Sequence, residues 1–451
     1  MLGASVVPVR SLTAQEAERA GTLTLAEALE RARRHNPTYR RALNELSAAG
    51  ADARAAWGAF LPRLSLNAST SLNAVRQLTA FDNFGNPIEN PVQEWRTTSN
   101  SGQSLSASLD LFNGGRRFAE LAGVRARNAE RDAAAAAALV QVTAEVRREY
   151  YQAVLRRDLL ALEASLLEGY RLDREHTETL YRLAEASVTR ADLSAAELEV
   201  LRQERTIVEA RSEYRKQLLA LASAVGDPAL WEAEVAEALP EPFDPERLSE
   251  AGLVERALRA SPAVRRSEAS VSTSAASLRS SRAVRWPSLS LNFSGSQGAN
   301  AAERAALFDL YPDEARSGSV SLSLSVPLFQ GFSTSRDIRT AEIALANAEE
   351  DLREARLTAE RDVRQRLIDL RLQWETYQLR RRELEVAEER VTLGREAYRL
   401  AERTLVELQA DVRAEAEARR ALLQARFDFV NALIALEEAV GDVVYPADGG
   451  A

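Results

Sequence analysis

Two histidines, His35 and His176, stand about 140 positions apart in a chain of 451 residues that has no cysteine. Thiolate nucleophiles, cysteine-ligated zinc and iron–sulfur clusters are therefore excluded. Histidine-based catalysis or metal binding has almost nothing to work with. No nucleophile–base pair, phosphate-cradling loop or ligand cluster emerges elsewhere, so the sequence predicts no catalytic residue, no cofactor and no metal site. The lack of cysteine and the scarcity of histidine and methionine also disfavour a soft-metal relay. A formal charge of −9 argues against nucleic-acid binding, because a phosphate backbone is held by a basic surface. An enzyme is a poor reading of such a chain.

The elements themselves then have to carry the function. No stretch approaches the roughly 20 apolar residues that span a bilayer as a helix. The start, Met1 to Arg10, carries a short apolar run without a basic flank, which fits a signal-peptide remnant or an ordinary leader equally. The decisive organisation is an internal duplication. Pro37 and Pro62 recur as Pro262 and Pro287 at an offset of 225, and LSLN at Leu64 recurs at Leu289. LFNG at Leu111 recurs as LFQG at Leu328 at an offset of 217, and AVGD at Ala224 recurs at Ala439 at 215. The layout is a leader over 1–23, a first repeat over 24–227, a Pro-rich linker over 228–249, a second repeat over 250–442 and a tail over 443–451.

Each repeat switches from helical to strand periodicity and back. Thr24 with Glu27 forms a capping-box pattern, and Asn36-Pro37 and Ser261-Pro262 place a capping side chain before a proline suited to the first helical turn. Past Pro62 and Pro287 the alternation is strict. Leu64, Leu66 and Leu72 oppose Ser65, Asn67 and Asn73; Val320, Leu322, Leu324, Val326 and Leu328 alternate with serines and Pro327. Strands are expected at about 63–75, 103–112, 288–296 and 318–328. Their length suits an outer-membrane barrel, although a soluble sandwich would show the same pattern. Three features favour lipid. Four strands cannot close a barrel, so a membrane reading requires several chains. Trp57, Phe60, Phe112, Trp286, Phe329 and Phe332 gather at the strand bases, where an interfacial belt would lie. The connections over 75–103 and 297–318 are long and polar, as the outer loops of such barrels are.

From Gly115 to Asp227, and again from Gly331 to Pro446, the chain runs without an intervening proline. Long helices are expected at about 115–226 and 333–441, with heptad-like positions at Val363, Leu367, Leu370, Trp374, Tyr377, Leu384, Val391, Tyr398 and Leu405. The repeat offset changes from 217 at Tyr181/Tyr398 to 215 at Leu193/Leu408, which places the hairpin turns at about 186–191 and 402–406. Each outgoing helix then has roughly 70 residues, or about 105 Å at 1.5 Å per residue.

Taken in order, Asn36-Pro37, Phe60-Leu61-Pro62 with its strand, Leu111 to Arg116, the segment YRLAERTLVELQA from Tyr398 to Ala410, and their duplicates resemble the TolC-like outer-membrane efflux proteins. The resemblance covers about 24–442. It implies long antiparallel coiled-coil hairpins, a four-strand contribution to a twelve-stranded barrel shared by a homotrimer, and an equatorial belt from linker and termini. It further implies a passive, gated conduit in the bacterial outer membrane with its helical tunnel in the periplasm, serving efflux or type I secretion. The implied partners are a periplasmic adaptor, an inner-membrane pump and outer-membrane lipid. Carried onto this chain, Arg190, Asp192, Arg403, Glu407 and Asp411 become candidates for gate or entrance contacts, with solvated tip charges as the alternative. Ala184 or Ala186, and Ala401, stand where the family often has glycine. The competing reading, a soluble coiled-coil scaffold without transport, leaves the four amphipathic strands unexplained.

Overall fold

The computed structural model describes residues 22–76, 84, 86, 95–183, 189–301, 316–400 and 402–444. The expected leader at Met1 to Arg10, most of the long connections, and the turn positions Ala184, Ala186 and Ala401 lie outside these residues. Helices α1 (Leu25–His35), α2 (Pro37–Ser47) and α3 (Ala49–Gly58) precede strands β1 (Arg63–Arg76) and β2 (Trp95–Asn113) and helices α4 (Arg116–Arg182) and α5 (Arg190–Val225). The second repeat contains α6 (Glu250–Ala260), α7 (Pro262–Ala283), β3 (Ser288–Ala301), β4 (Arg316–Ser325), α8 (Ser333–Arg399) and α9 (Leu405–Val440). The match between the halves extends to length: α4 and α8 each have 67 residues, and α5 and α9 each have 36.

Some strand boundaries and one cap depart from expectation. β2 begins at Trp95 instead of 103, because β1 runs to Arg76 and antiparallel pairing carries its partner along to Trp95. Apart from Trp95 the added stretch has polar residues or glycine on both faces and so shows no alternation. β4 ends at Ser325 instead of 328, since Pro327 has no N–H to continue a ladder. At Thr24 the expected box is only half made. The hydroxyl accepts from Glu27 N at 3.3 Å, while the Glu27 carboxylate takes the Arg31 guanidinium at 2.6 Å.

The chain divides into two compact units, 1–47 with 130–268 and 351–451, and 48–129 with 269–350. In the first unit, Tyr150, Val154, Leu155, Leu221 and Val225 form a core with Ala28 and Ala32 of α1 and Leu230, Val235 and Leu239 of the linker. Leu23 and the Pro-rich linker are fixed against the helices by hydrogen bonds. Tyr150 Oη donates to Leu23 O at 2.9 Å, Arg157 reaches the Val235 and Glu237 carbonyls at 2.6 and 3.0 Å, and Arg426 Nε reaches Pro240 O at 3.1 Å. A second core pairs Leu253 and Ala257 of α6 with Val363, Leu367 and Leu370 of α8 and Phe429 and Leu436 of α9. Thus three of the heptad positions expected on α8 sit at the centre of a core.

The second unit carries the sheet, in the order β1-β2-β3-β4 with every neighbour antiparallel. Beside it Leu278 of α7 packs on Ile338 and Ala341 of α8.

Candidate functional site

The sheet sorts its side chains strictly by face. Leu64, Ala107, Phe293 and Val320 stand in one rank across the four strands, and Ser65, Ser106, Ser294 and Ser319 stand in the next. Successive side chains point to opposite faces of a strand, so one face is aliphatic and the other is lined with hydroxyls and amides. Hydroxyls pair across the polar face, Ser65 with Ser106 at 2.6 Å, Ser294 with Ser319 at 2.9 Å and Ser296 with Ser317 at 2.8 Å. The aliphatic face is uncovered: Leu64, Leu66, Val320, Leu322 and Leu324 are all exposed. Among the described residues both outer strands also keep a free edge, and every residue of β4 is exposed. A water-soluble sheet buries its aliphatic face; this one presents it.

The six aromatic candidates all lie in this unit. Phe60 packs on Trp57 at 5.6 Å and on Phe118 at 5.2 Å between ring centroids, with the Arg117 guanidinium 4.8 Å above its ring. Phe329 and Phe332 meet edge to face at 5.5 Å. Trp57, Phe112, Trp286, Phe329 and Phe332 are exposed. Phe332 is the one non-glycine residue with positive φ among the described residues, at 65°.

The five charged candidates belong to the helical unit. Arg190 opens α5 and is exposed. Asp192 closes a capping box with Thr189: its Oδ2 accepts from Thr189 N at 2.8 Å while Thr189 Oγ1 accepts from Asp192 N at 3.3 Å. Glu407 repeats the box with Thr404 at 2.9 and 3.4 Å. The bond from the Thr404 amide, helped by the Thr404 hydroxyl, holds the Glu407 carboxyl below its ordinary range. Asp411 is buried, with the side chains of Arg403 and Arg390 each 2.6 Å away. The sequence brings Arg403, Glu407 and Asp411 to one helical tip; it leaves Arg190 and Asp192 at the corresponding turn of the first repeat.

Sequence reasoning missed Arg390 and Gly394. A Cβ on Gly394 would stand 3.0 Å from Asp411 Oδ2. A glycine inside a heptad helix was the available signal, since it costs about 1 kcal/mol relative to alanine unless something needs the space.

Comparison with known proteins decides the family. The outer membrane efflux protein family model matches residues 28–227 and 253–442. The chain belongs to the outer membrane efflux protein family. Over 360 residues it is 27% identical to the protein CyaE of Bordetella pertussis, covering 79% of this chain and 70% of that one. It is 26% identical over 438 residues to the pyoverdine export outer membrane protein OpmQ of Pseudomonas aeruginosa, covering 93% and 85%. Among solved structures, CusC aligns with a TM-score of 0.74 at 18% identity over 93% of this chain and 92% of that one. The outer membrane protein VceC of Vibrio cholerae aligns with a TM-score of 0.73 at 18% identity over 93% and 97%. This family member is an outer-membrane channel component of an export system, with its sheet serving the barrel and its long helices the periplasmic tunnel.

Proposed function

We propose that three copies of this chain pool their sheets into one twelve-stranded barrel. The observation that carries the proposal is the sheet with two free edges and an exposed aliphatic face. An unclosed edge leaves backbone N–H and C=O groups unpaired, which hydrocarbon does not tolerate. Pairing β1 of one copy with β4 of the next removes both edges at once. The aliphatic ranks then face lipid and the serine ranks face the lumen. The exposed aromatics Trp57, Phe112, Trp286, Phe329 and Phe332, with Phe60 beside them, mark the lower membrane boundary.

The conduit itself is passive and does no chemistry on its cargo. A periplasmic adaptor and an inner-membrane pump deliver cargo and energy to the helical end. Arg190, Asp192, Arg403, Glu407 and Asp411 mark the two hairpin turns at the entrance. Exposed carboxylates there, repeated by threefold symmetry, give a focused negative potential that favours cations. The duplication defines the domains: two repeats over about 24–227 and 250–442 joined by an equatorial linker.

The test combines mass and current. Detergent-extracted outer-membrane protein should run as three 49.6 kDa chains by light scattering and give discrete current steps in planar bilayers. A stable, detergent-free monomer recovered from cytosol would defeat the proposal. Crosslinking in intact cells should capture the adaptor and the pump.

A further inference from the structure

The two returning helices open with the same capping box, yet the residues packed behind it differ. Asp411 lies one turn beyond the N-terminal box of α9, with its side chain 1% exposed. Arg403 Nη1 donates to Oδ2 at 2.6 Å. Arg390 Nε lies 2.6 Å from Oδ1, an ion pair without an aligned hydrogen bond. A carboxylate at that depth is tolerated because it is paired on both oxygens. Gly394 provides the space: a Cβ there would meet Oδ2 at 3.0 Å and Arg403 Nη1 at 3.4 Å.

The first repeat fills the same positions with different chemistry. At the 217 offset Gly394 corresponds to Thr177, and at the 215 offset Asp411 corresponds to Ala196. Both counterparts are buried, at 1% and 4% exposure. Bulk has been exchanged across the seam, small on the outgoing helix and large on the returning one in repeat two, and the reverse in repeat one. The charges change with it. Arg390 corresponds to Asp173 and Arg403 to Val188. No charge triad of this kind can form from the first set.

We propose that Asp411 is a positioning residue that braces the second tip from within a single protomer. One carboxylate ties α8 through Arg390, the turn through Arg403 and α9 through its own backbone, so the tip moves as a unit and Arg403 is presented in one place. The first repeat carries no carboxylate at the matching position, where the buried Ala196 stands. The proposal rests on the channel reading, because only there does the tip become an entrance; the brace then limits how freely that entrance opens.

Two variants of the full-length protein test it. Asp411→Asn removes the charge with little change of shape. Gly394→Thr combined with Asp411→Ala rebuilds the packing of the first repeat, so it removes the brace without leaving a cavity or an unpaired carboxylate. In detergent, amides of residues 402–412 should exchange with deuterium about tenfold faster in both variants, while residues 189–196 are unchanged. In planar bilayers, open-channel current should rise in both. Wild-type exchange at the second tip of the doubly substituted, correctly assembled protein overturns the brace. Faster exchange with unchanged current overturns its control of conduction. If the unmodified protein carries no current, the channel reading fails, and deuterium exchange still decides the brace.

Discussion

Gln203 of α5 donates through one nitrogen to two acceptors of Glu163 on α4, the backbone carbonyl at 2.9 Å and the carboxylate at 2.7 Å. The pair recurs two heptads away, where Gln217 makes the same two bonds to Glu149 at 3.2 and 2.5 Å. Polar pairs inside a coiled-coil seam fix register, because a slip of one position would leave a buried amide and a buried carboxylate unpaired. The Glu163 pair also receives Arg420 of α9, at 2.6 and 2.8 Å. Glu163 therefore joins both hairpins.

Arg420→Met should weaken the helical unit by about 2 kcal/mol, below the usual cost of breaking a buried pair because Arg420 is partly solvated. Converting Glu163 and Arg420 to Met together should restore most of the loss, since no unpaired charge remains. A double-mutant thermal melt measures both. Burial works to raise the Glu163 carboxyl, and the bonds from Arg420 and Gln203 outweigh it, so its folded value lies below the ordinary range. A carboxyl lowered on folding stabilises the folded chain above its unfolded pKa, about 4.3. That contribution is lost as pH falls through the lower folded value. The difference in melting temperature between wild type and Arg420→Met should accordingly shrink in acid and persist at neutral pH.

The assignment of faces on β4 makes a sharper demand. Leu322 stands on the aliphatic rank and Ser321 on the polar rank beside it. Leu322→Arg should lower barrel stability by about 2–4 kcal/mol if it sits near the bilayer midplane. Ser321→Arg should assemble normally and change only conductance. Heat-modifiable migration of the trimer on gels reads the first effect, and bilayer recording reads the second. Equal tolerance of both substitutions would show that neither face meets lipid.

How far the sequence could anticipate the molecule depends on whether a feature is periodic or a crossing. The strand ranks, the two pairs of long helices and the proline boundaries repeat along the chain, so residues such as Leu64 and Val320 declare their face without a structure. Thr189-Asp192 and Thr404-Glu407 also match the Thr-x-x-acid capping signature. Reading those acids for their charge alone hid their bond to the backbone. Asp411 is different in kind. Its burial arises where α9 meets α8 and the turn, so only the crossing shows that it faces Arg390 and Gly394. The early start of β2 was equally invisible, because register with β1 decides it.

The corner between strand and helix separates the two repeats by one residue. Gly115 has φ of 85° and its counterpart Phe332 has φ of 65°. A bulky side chain in the left-handed region costs of order 1–3 kcal/mol. Phe332→Gly should therefore raise the melting temperature in detergent, where its exposed ring meets little else than Phe329. Gly114→Ala makes the opposite case. Its Cβ would lie 2.3 Å from Ala283 O and 2.8 Å from Trp286 Cβ, so assembly should fail. Gly115→Ala, with nothing within 4 Å of the new Cβ, should only lower stability. A melt in which the two alanine variants behave alike would remove the clash as the cause.

Charge and cap can be separated at Glu407. Its carboxylate both accepts from Thr404 N at 2.9 Å and carries an exposed negative charge beside the turn. Glu407→Gln keeps an acceptor for the amide and deletes the charge; Glu407→Ala deletes both. If the entrance potential selects ions, both variants should shift the reversal potential toward anions by a similar amount under a salt gradient. If only the cap matters, the glutamine variant should keep wild-type selectivity while the alanine variant alone speeds deuterium exchange in the first turn of α9. Raising salt from 0.1 to 1 M shortens the screening length from about 10 to about 3 Å. The selectivity difference between wild type and Glu407→Gln should shrink accordingly, whereas a change that worked through the cap would persist.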